Sequence, residues 1–331
     1  MNRVGIAGIW AGLAASIAVT GAAVAQRQRL PAECRQQLVE RCRGAGLGGV
    51  RQCLATALPT LSDDCRKAIG AREGTPAAGM RTLSYGRDPK QALDLAVPAG
   101  GHAPVLLFVH GGGWSIGDKA ANEAGRVAHF GKAGWAYASV NYRLVPQASV
   151  EQQAADVASA VAYLRANAAR LGIDANRIVL MGHSAGAHLV ALVGTDERYF
   201  RAVGVPVSAI RGAVLLDGAG YDIAGQMARP DNPVAAMYDA AFGRDPKRQA
   251  ALSPTRWTAA PNVGAWLILP IARRADSLAQ SQALAAGLSK AGARARVESI
   301  PDKSHGGLNK AIGEEGDYAT GLVDAFLAGV N

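Results

Sequence analysis

Residues 182–186 read Gly-His-Ser-Ala-Gly, a G-x-S-x-G motif between a predicted strand and a predicted helix. A sharp turn from strand to helix strains the serine backbone and lifts its hydroxyl clear of the sheet. Glycines on both sides leave the space that this turn needs. The motif in this context predicts that Ser184 is a nucleophile. His183, at the variable position, and His188, one turn into the helix, are predicted to pack rather than to react.

A second glycine-rich motif, His-Gly-Gly-Gly-Trp at residues 110–114, follows directly after the apolar run 105–109. A tetrahedral intermediate carries negative charge on the former carbonyl oxygen, and each fixed N–H donor there contributes ~2.7–4 kcal/mol. Glycines allow the backbone to approach that oxygen closely. We therefore predict an oxyanion hole formed by the N–H groups of Gly111 and Gly112 with that of Ala185.

Together the two motifs resemble the hormone-sensitive-lipase-like branch of the α/β-hydrolases. The strings Gly-Asp-Lys at 117–119 and Asn-Tyr-Arg-Leu at 141–144 make the chain most similar to the small carboxylesterases and kynurenine-formamidase-like relatives of that branch. The resemblance extends from residue 80 to the C-terminus. It implies an α/β-hydrolase fold, hydrolysis of a carboxylic ester, and a structural role for His110 in orienting the oxyanion loop.

The base and the acid of a triad should follow the nucleophile, because this fold orders them as Ser, then Asp or Glu, then His. His305 is the only histidine beyond the nucleophile helix, so it is the predicted base. Asp276, just past the predicted strand 265–269, is the predicted acid, and Asp217, ending an earlier strand, is the rival. The family usually shows H-G-x-x-D here, whereas residues 271–274 read Ile-Ala-Arg-Arg, and these arginines could pair with the carboxylate.

From residue 80 onward, short apolar runs alternate with segments of helical pattern. This order predicts an α/β fold with a mainly parallel sheet and helices on both faces. Sites in such sheets form at the carboxyl ends of the strands. The predicted strands are residues 81–85, 91–97, 105–109, 135–140, 178–181, 212–216, 265–269 and 295–300, and the predicted helices are 122–133, 150–171, 185–194, 277–290 and 317–327.

Residues 221–261 interrupt this alternation and are predicted to form a small lid over the site. Trp114, Tyr221 and Met237 are predicted to line an apolar substrate pocket. Packing inside the lid region, without substrate contact, is the alternative for each of these side chains. A small lid favours short acyl or aromatic esters over long lipid chains.

All four cysteines precede this domain, and we interpret them as a disulfide framework. Zinc is the competing interpretation, but there is no C-x-x-C pair and no histidine nearby. Of the three pairings, the nested one, Cys34–Cys65 with Cys42–Cys53, is favoured because it joins antiparallel neighbours. The segment resembles a cysteine-rich repeat of the Golgi-glycoprotein type. We predict a structural role, or contact with the cell envelope or another protein.

Residues 1–25 have the layout of a secretory signal peptide, in which Arg3 precedes an apolar stretch and residues 23–25 read Ala-Val-Ala. A retained membrane anchor is the alternative, but the small residues and the cleavage triplet favour removal. The mature protein is then expected to be secreted or periplasmic, with no membrane span. The remaining chain is predicted to divide into the cysteine-rich segment, a linker and the hydrolase domain, at residues 26–70, 71–79 and 80–331.

The formal charge of +9 at pH 7 does not indicate a nucleic-acid partner, because the basic residues are scattered among acidic ones. No metal or organic cofactor is implied, since protein groups fill every chemical role. The leading hypothesis is an exported serine hydrolase that acts on a small-molecule ester. An amidase or formamidase with the same triad is one alternative, and a non-catalytic binding protein of the same fold is another.

Overall fold

The structure, a computed structural model, describes residues 31–41, 57, 61–62, 65, 76–229 and 234–330. The predicted signal peptide, Cys42 and Cys53 lie outside the described residues. The strands are β1 (Arg81–Ser84), β2 (Ala92–Ala96), β3 (Ala103–Val109), β4 (Ala136–Val140), β5 (Ile173–His183), β6 (Ile210–Leu216), β7 (Ala265–Leu269) and β8 (Arg294–Val297).

These strands form one eight-stranded sheet in the spatial order β1-β2-β4-β3-β5-β6-β7-β8. The pairs β1–β2 and β2–β4 are antiparallel, and every pair from β4 through β3 to β8 is parallel. All residues of β3 and β4 are buried, as expected for strands covered on both faces. The predicted mainly parallel sheet is therefore confirmed.

Helices cover both faces of the sheet. The α-helices are α1 (Ala32–Arg41), α2 (Glu123–Lys132), α3 (Val150–Ala166), α4 (Ala168–Leu171), α5 (Ala185–Thr195), α6 (Arg198–Ala202), α7 (Ile223–Met227), α8 (Ala235–Phe242), α9 (Pro246–Ala251), α10 (Ala275–Lys290), α11 (His305–Ala311) and α12 (Tyr318–Val330). Successive side chains of β3 enter two separate apolar cores. Leu107 packs with residues of α3, α5 and α10, and Phe108 packs with residues of α2, α11 and α12. This alternation follows from the two-residue period of a strand.

The structure differs from the predicted elements in two places, the second of which bears on the site. The single helix predicted at 150–171 is divided at Asn167 into α3, which ends at Ala166, and the short α4, which ends at Leu171. No helix is predicted between residues 300 and 317, whereas His305 begins helix α11. Its N-cap is Ser304, whose Oγ accepts a hydrogen bond from the N–H of Gly307 at 3.1 Å. A capping serine holds the first turn of a helix in place, so His305 sits on a fixed element.

The cysteine-rich segment contacts the main domain close to the glycine-rich loop. Cys34, on α1, forms a disulfide with Cys65, as predicted. With Leu61 they form a small buried cluster, and Ile116, just past the His-Gly-Gly-Gly-Trp motif, packs against it. No helix in the described part of the chain combines the length and apolar character needed to cross a membrane.

Candidate active site

Ser184 occupies a sharp turn between β5 and α5, with φ 56° and ψ −120°. A non-glycine residue with this backbone conformation is strained and marks a position held by its surroundings. A Cβ added to Gly182 would lie 2.4 Å from the carbonyl oxygen of Gly186, and one on Gly186 would lie 2.1 Å from that of Val109. Both glycines are therefore required for helix α5 to start this close to the strands.

The register of β5 and β6 brings an aspartate next to this turn. The N–H of Ser184 donates to the carbonyl oxygen of Leu216 at 3.0 Å, so the next residue, Asp217, leaves β6 beside the nucleophile. Asp217 has a φ of 43°. Its N–H donates a hydrogen bond of 2.9 Å to the carbonyl oxygen of Leu269, the last residue of β7. These residues lie at the carboxyl ends of parallel strands, where sites form in such sheets.

The side chain of Asp217 is buried, and both of its carboxylate oxygens accept hydrogen bonds. Its Oδ2 accepts a hydrogen bond from His305 Nδ1 at 2.6 Å, and its Oδ1 accepts one from the N–H of Ile271 at 3.1 Å. Burial alone would raise the pKa of Asp217, but the His305 hydrogen bond and the charge of Arg274 outweigh burial and hold the pKa below its ordinary value. The ionised carboxylate only accepts hydrogen bonds, so His305 Nδ1 carries the proton and Nε2 is left as a base.

The predicted acid, Asp276, is not beside His305, and this prediction is wrong. Asp276 lies in the first turn of α10, where a carboxylate interacts favourably with the helix N-terminus. Its Oδ2 is 3.0 Å from Arg229 Nη1 and 3.5 Å from Arg274 Nη2. The carboxylate that is hydrogen-bonded to His305 is that of the rival residue, Asp217.

Arg274 is a member of the site whose role the sequence did not reveal. Its Nη1 donates to Asp217 Oδ2 at 2.9 Å and to the Asp217 carbonyl oxygen at 3.2 Å. The same nitrogen lies 3.1 Å from His305 Nδ1. The departure of residues 271–274 from the family motif was the available signal. It indicated that the two arginines could pair with Asp276, and Arg274 does contact Asp276 at 3.5 Å, but the shorter contact with Asp217 was not predicted.

The glycine-rich loop lies directly over the nucleophile. A Cβ on Gly111 would be 2.9 Å from Ser184 Cβ, so this backbone approaches the serine as closely as a side chain permits. Gly112, Gly113 and Trp114 follow with φ values of 128°, 58° and 61°. Within the described chain no acceptor is seen for the N–H groups of Gly111 and Gly112. Ala185 begins α5, where first-turn N–H groups lack helical partners.

His110 supports this loop from below, as the resemblance implied. Its ring is buried and stacks on Tyr142 with a centroid separation of 4.4 Å, and Tyr142 donates its hydroxyl to the His110 carbonyl oxygen at 2.8 Å. Burial lowers the pKa of His110 to about 4, so the ring is neutral at pH 7. Gly117 completes the arrangement because a Cβ there would lie 2.3 Å from His110 Nδ1.

The two other histidines near the serine pack, and neither reaches the position of a base. His183 Nε2 donates to the carbonyl oxygen of His305 at 3.0 Å, and the two rings lie 4.5 Å apart. Burial and, secondly, the neighbouring His305 lower the pKa of His183 well below its ordinary value. His188 is buried between Leu252, whose carbonyl oxygen accepts from Nε2 at 2.9 Å, and Trp114.

The three predicted pocket residues differ in their access to solvent. Trp114 is 2% exposed and Tyr221 is 0% exposed, so neither offers surface to a substrate in this structure. Trp114 packs edge-on against Tyr238 and Phe242 of α8, with centroid separations of 5.1 and 4.7 Å. Met237, also on α8, is partly exposed. The described part of the predicted lid contains helices α7, α8 and α9, a 3-10 helix (Pro254–Trp257) and connecting loops, and its role as a lid stays a prediction.

Comparison with known proteins finds one family model and several proteins that are named as esterases. A family model described as BD-FAE matches residues 93–210. Esterase LipC of Mycobacterium tuberculosis is 39% identical over 126 residues, which are 36% of this chain and 31% of that protein. Isoprenylcysteine alpha-carbonyl methylesterase ICME of Arabidopsis thaliana is 34% identical over 149 residues, covering 43% and 34%. The chain thus spans about a third of the length of these curated relatives.

Solved structures match over most of the described chain. Thermogutta terrifontis esterase 2, phosphoramylated by tabun, superimposes with a TM-score of 0.62 at 21% identity, covering 78% of this chain and 97% of that one. A truncated carbohydrate esterase from gut microbiota gives a TM-score of 0.63 at 23% identity, covering 77% and 99%. At this level of identity the likeness concerns the fold. The chain has the α/β-hydrolase fold.

Proposed function

We propose that this protein is a serine hydrolase that cleaves carboxylic esters. His305 Nε2 takes the proton of Ser184 Oγ as this oxygen attacks the ester carbonyl carbon. The negative charge that develops on the carbonyl oxygen is stabilised by the N–H groups of Gly111, Gly112 and Ala185. His305 then gives its proton to the leaving alkoxide, and an acyl-enzyme remains on Ser184.

Water completes the cycle by the same path. It attacks the acyl carbon while His305 takes its proton, and the collapse of this second intermediate returns a proton to Ser184 Oγ. The products are one alcohol and one carboxylic acid. Throughout, Asp217 keeps the proton-bearing Nδ1 of His305 oriented and stabilises the imidazolium, without itself becoming protonated.

The observation that carries the proposal is the 2.6 Å contact between Asp217 Oδ2 and His305 Nδ1. This contact lies at the same edge of the sheet as the strained turn of Ser184. The backbone of Gly111 also approaches Ser184 closely there. Pairing with a buried, ionised carboxylate is not expected of a histidine that only lies at the surface. The esterase names of the matched relatives and structures support an ester as the substrate.

Hydrolysis of p-nitrophenyl esters of graded acyl length, by wild type and by Ser184→Ala, tests the proposal. We expect wild type to hydrolyse short esters faster than long ones and the Ser184→Ala variant to lose at least about 10³-fold in kcat. Ser208→Ala is the matched control, because Ser208 is exposed and precedes β6, at the opposite end of that strand from Asp217, and this variant should keep wild-type activity. Equal activity of wild type and Ser184→Ala would contradict the assignment.

N-formyl aromatic amides assayed in parallel separate the ester hydrolase from the alternative of the same fold. A higher kcat/KM on the formyl amides than on every ester would identify a formamidase with the same triad. No turnover of either class, with no labelling of Ser184 by a fluorophosphonate, would identify a non-catalytic binding protein.

We further propose that the protein is exported and that residues 1–25 are removed. The pattern of the first residues supports this, as does the Cys34–Cys65 disulfide, since such bonds persist in oxidising compartments. N-terminal sequencing of the protein recovered from a periplasmic or extracellular fraction should begin at Gln26. A chain that retains Met1 and fractionates with the cytosol would contradict export.

A further inference from the structure

The disulfide cluster, which consists of Cys34, Leu61 and Cys65, contacts the hydrolase domain at the glycine-rich loop. Ile116, two residues after the His-Gly-Gly-Gly-Trp motif, packs against this cluster and is partly exposed. Among the described residues, Ile116 belongs to neither of the two apolar cores that flank the sheet. The contact of its side chain with the cluster therefore joins two parts of the chain that were predicted as separate units.

Ile116 is tied closely to Gly112, one of the proposed oxyanion donors. The N–H groups of Ser115 and Ile116 both donate to the carbonyl oxygen of Gly112, at 3.2 and 3.0 Å. A Cβ added to Gly112 would overlap the carbonyl oxygen of Ile116 and would lie 3.0 Å from Ile116 Cγ1. Because these atoms are in such close contact, a displacement of Ile116 must also move the backbone of Gly112.

The loop is anchored to the hydrolase domain on both sides of Ile116. Before it, the carbonyl oxygen of Trp114 accepts a hydrogen bond from Gln153 Nε2 at 2.7 Å. After it, the N–H of Lys119 donates to Asn141 Oδ1 at 2.6 Å. The disulfide cluster contacts the turn that lies between these two anchors, so it supports the loop at a point that the hydrolase domain's cores do not reach.

We propose that the disulfide cluster positions the oxyanion loop. By packing on Ile116, it holds the N–H of Gly112 where the carbonyl oxygen of the ester becomes negatively charged. The inference rests on the proposed function, in which this N–H is an oxyanion donor. It assigns to the cysteine-rich segment an effect on the rate of ester hydrolysis. Ile116 acts through Gly112 and is a positioning residue.

A small displacement of the loop is sufficient to lower the rate. An oxyanion donor acts only within hydrogen-bond distance of the developing charge, and loss of one donor lowers kcat by about 10²–10³-fold. A displacement of about 1 Å at a catalytic group can cost about 10²-fold. The donor stabilises the transition state more than the bound ester, so the loss should fall on kcat rather than on KM.

The disulfide cluster depends on its covalent bond. Helix α1 has ten residues, and a helix of this length is marginal without packing partners. Two hydrogen bonds join α1 to Ser62, whose N–H donates to Gln37 Oε1 at 2.9 Å and whose Oγ accepts from Gln37 Nε2 at 3.1 Å. Both are exposed to solvent, so the Cys34–Cys65 bond is the stronger constraint. Its removal should withdraw the support of Ile116.

The experiment compares Ile116→Ala with the double substitution Cys34→Ala/Cys65→Ala in the full chain. Ile116→Ala removes the side chain that contacts the cluster, whereas the double substitution removes the covalent bond and keeps Ile116. On a short p-nitrophenyl ester, each variant should lose at least about tenfold in kcat, with KM within about threefold of wild type. Val39→Ala is the matched control, because Val39 lies on α1 and is 63% exposed, and it should keep wild-type kcat.

Two further measurements separate positioning of the loop from a general loss of structure. A trifluoromethyl ketone forms a tetrahedral adduct with the serine, and its oxyanion occupies the oxyanion hole. This ketone should bind at least about tenfold more weakly to each variant than to wild type. The variant that combines all three substitutions should lose no more kcat than the more impaired of the two, because both changes break the same contact.

Thermal unfolding establishes that each variant is folded at the temperature of measurement, and Ile116→Ala remains decisive if the cysteine variant does not fold. Wild-type kcat and wild-type ketone affinity in a folded Ile116→Ala would overturn the inference. So would additive losses of kcat in the combined variant, which would show that Ile116 and the disulfide act independently. Either result leaves the proposed function standing, whereas a wild type without esterase activity would reject the proposed function itself.

Discussion

Asp217 Oδ2 lies 2.6 Å from His305 Nδ1, although the two residues are 88 positions apart and on different elements. Asp217 ends β6, and His305 begins helix α11 beyond β8. The pair therefore exists only when the sheet is assembled in its full order and the cap at Ser304 fixes the start of α11. This contact distinguishes Asp217 from Asp276, whose carboxylate contacts Arg229 and Arg274, and substitutions at the two positions should therefore have different effects.

Asp217→Asn should lower kcat by about 10⁴-fold, because an amide in this position favours the wrong tautomer of the histidine. Asp276→Asn is the matched comparison. Its carboxylate contacts Arg229 and Arg274, so we expect a change of less than about tenfold in kcat. Steady-state kinetics of both variants on one ester decide between the two residues. The reverse ranking would restore Asp276 as the acid.

Gly111→Ala should lower kcat by about 10²-fold, as expected for loss of one oxyanion donor. The added methyl would lie 2.9 Å from Ser184 Cβ and 2.7 Å from the His183 carbonyl oxygen, so the loop must move away from the serine. Gly131→Ala is the control, since a Cβ there meets nothing within 4 Å. The comparison requires near-UV circular dichroism of both variants to match wild type. Unchanged kcat in a folded Gly111→Ala would place the oxyanion donors elsewhere.

Arg126→Met should destabilise the protein by about 3–5 kcal/mol, the usual result of removing one partner of a buried ion pair, because Arg126 Nη1 lies 3.3 Å from the buried Glu123 carboxylate. Arg126 is fully buried over the ring of Phe108, and its Nη2 donates to Oδ1 of Asn309 on α11 at 2.7 Å. The exposed Arg201→Met, which removes only an i,i+4 pair with Glu197, should change stability by less than about 0.5 kcal/mol. Urea unfolding measures both free energies. Equal losses of unfolding free energy in the two variants would contradict the stabilising role assigned to the buried contacts of Arg126.

Glu123 makes stability depend on pH in a defined direction. Burial raises the pKa of Glu123 from 4.5 to about 7, so its favourable contribution is present at low pH and is lost as the pH rises through about 7. Relative to Glu123→Gln, wild type should therefore lose about 3 kcal/mol of unfolding free energy between roughly pH 4.5 and 8. Urea unfolding of both proteins at pH 5 and pH 8 tests this. Parallel pH dependences would mean that Glu123 is ionised throughout.

The features that depend on residues close together in the chain were predicted correctly from the sequence. The apolar run that became β3 predicted a strand buried on both faces, and the spacing of Gly182, Ser184 and Gly186 predicted the strained turn. The pairing of Cys34 with Cys65 was also predicted correctly, although these residues are 31 positions apart. The predicted base was His305, since no other histidine follows the nucleophile helix, and the structure places it beside a buried aspartate.

The features that sequence reasoning missed depend on strand register. Asp217 and Asp276 both follow strands, and only the hydrogen bond from Ser184 to Leu216 shows which one adjoins the nucleophile. The interaction of Arg274 with Asp217 spans 57 positions and has no local signal. Trp114 likewise follows the glycine-rich loop, but its burial against α8 is a matter of tertiary packing.

Covalent labelling tests the central claim most directly, because it identifies the nucleophile without assuming a substrate. After reaction of wild type with a fluorophosphonate, intact mass and peptide mapping should show one adduct, located on Ser184. Labelling should be absent in Ser184→Ala and strongly slowed in His305→Ala. An adduct on another residue, or ester hydrolysis that continues in a fully labelled protein, would contradict the account.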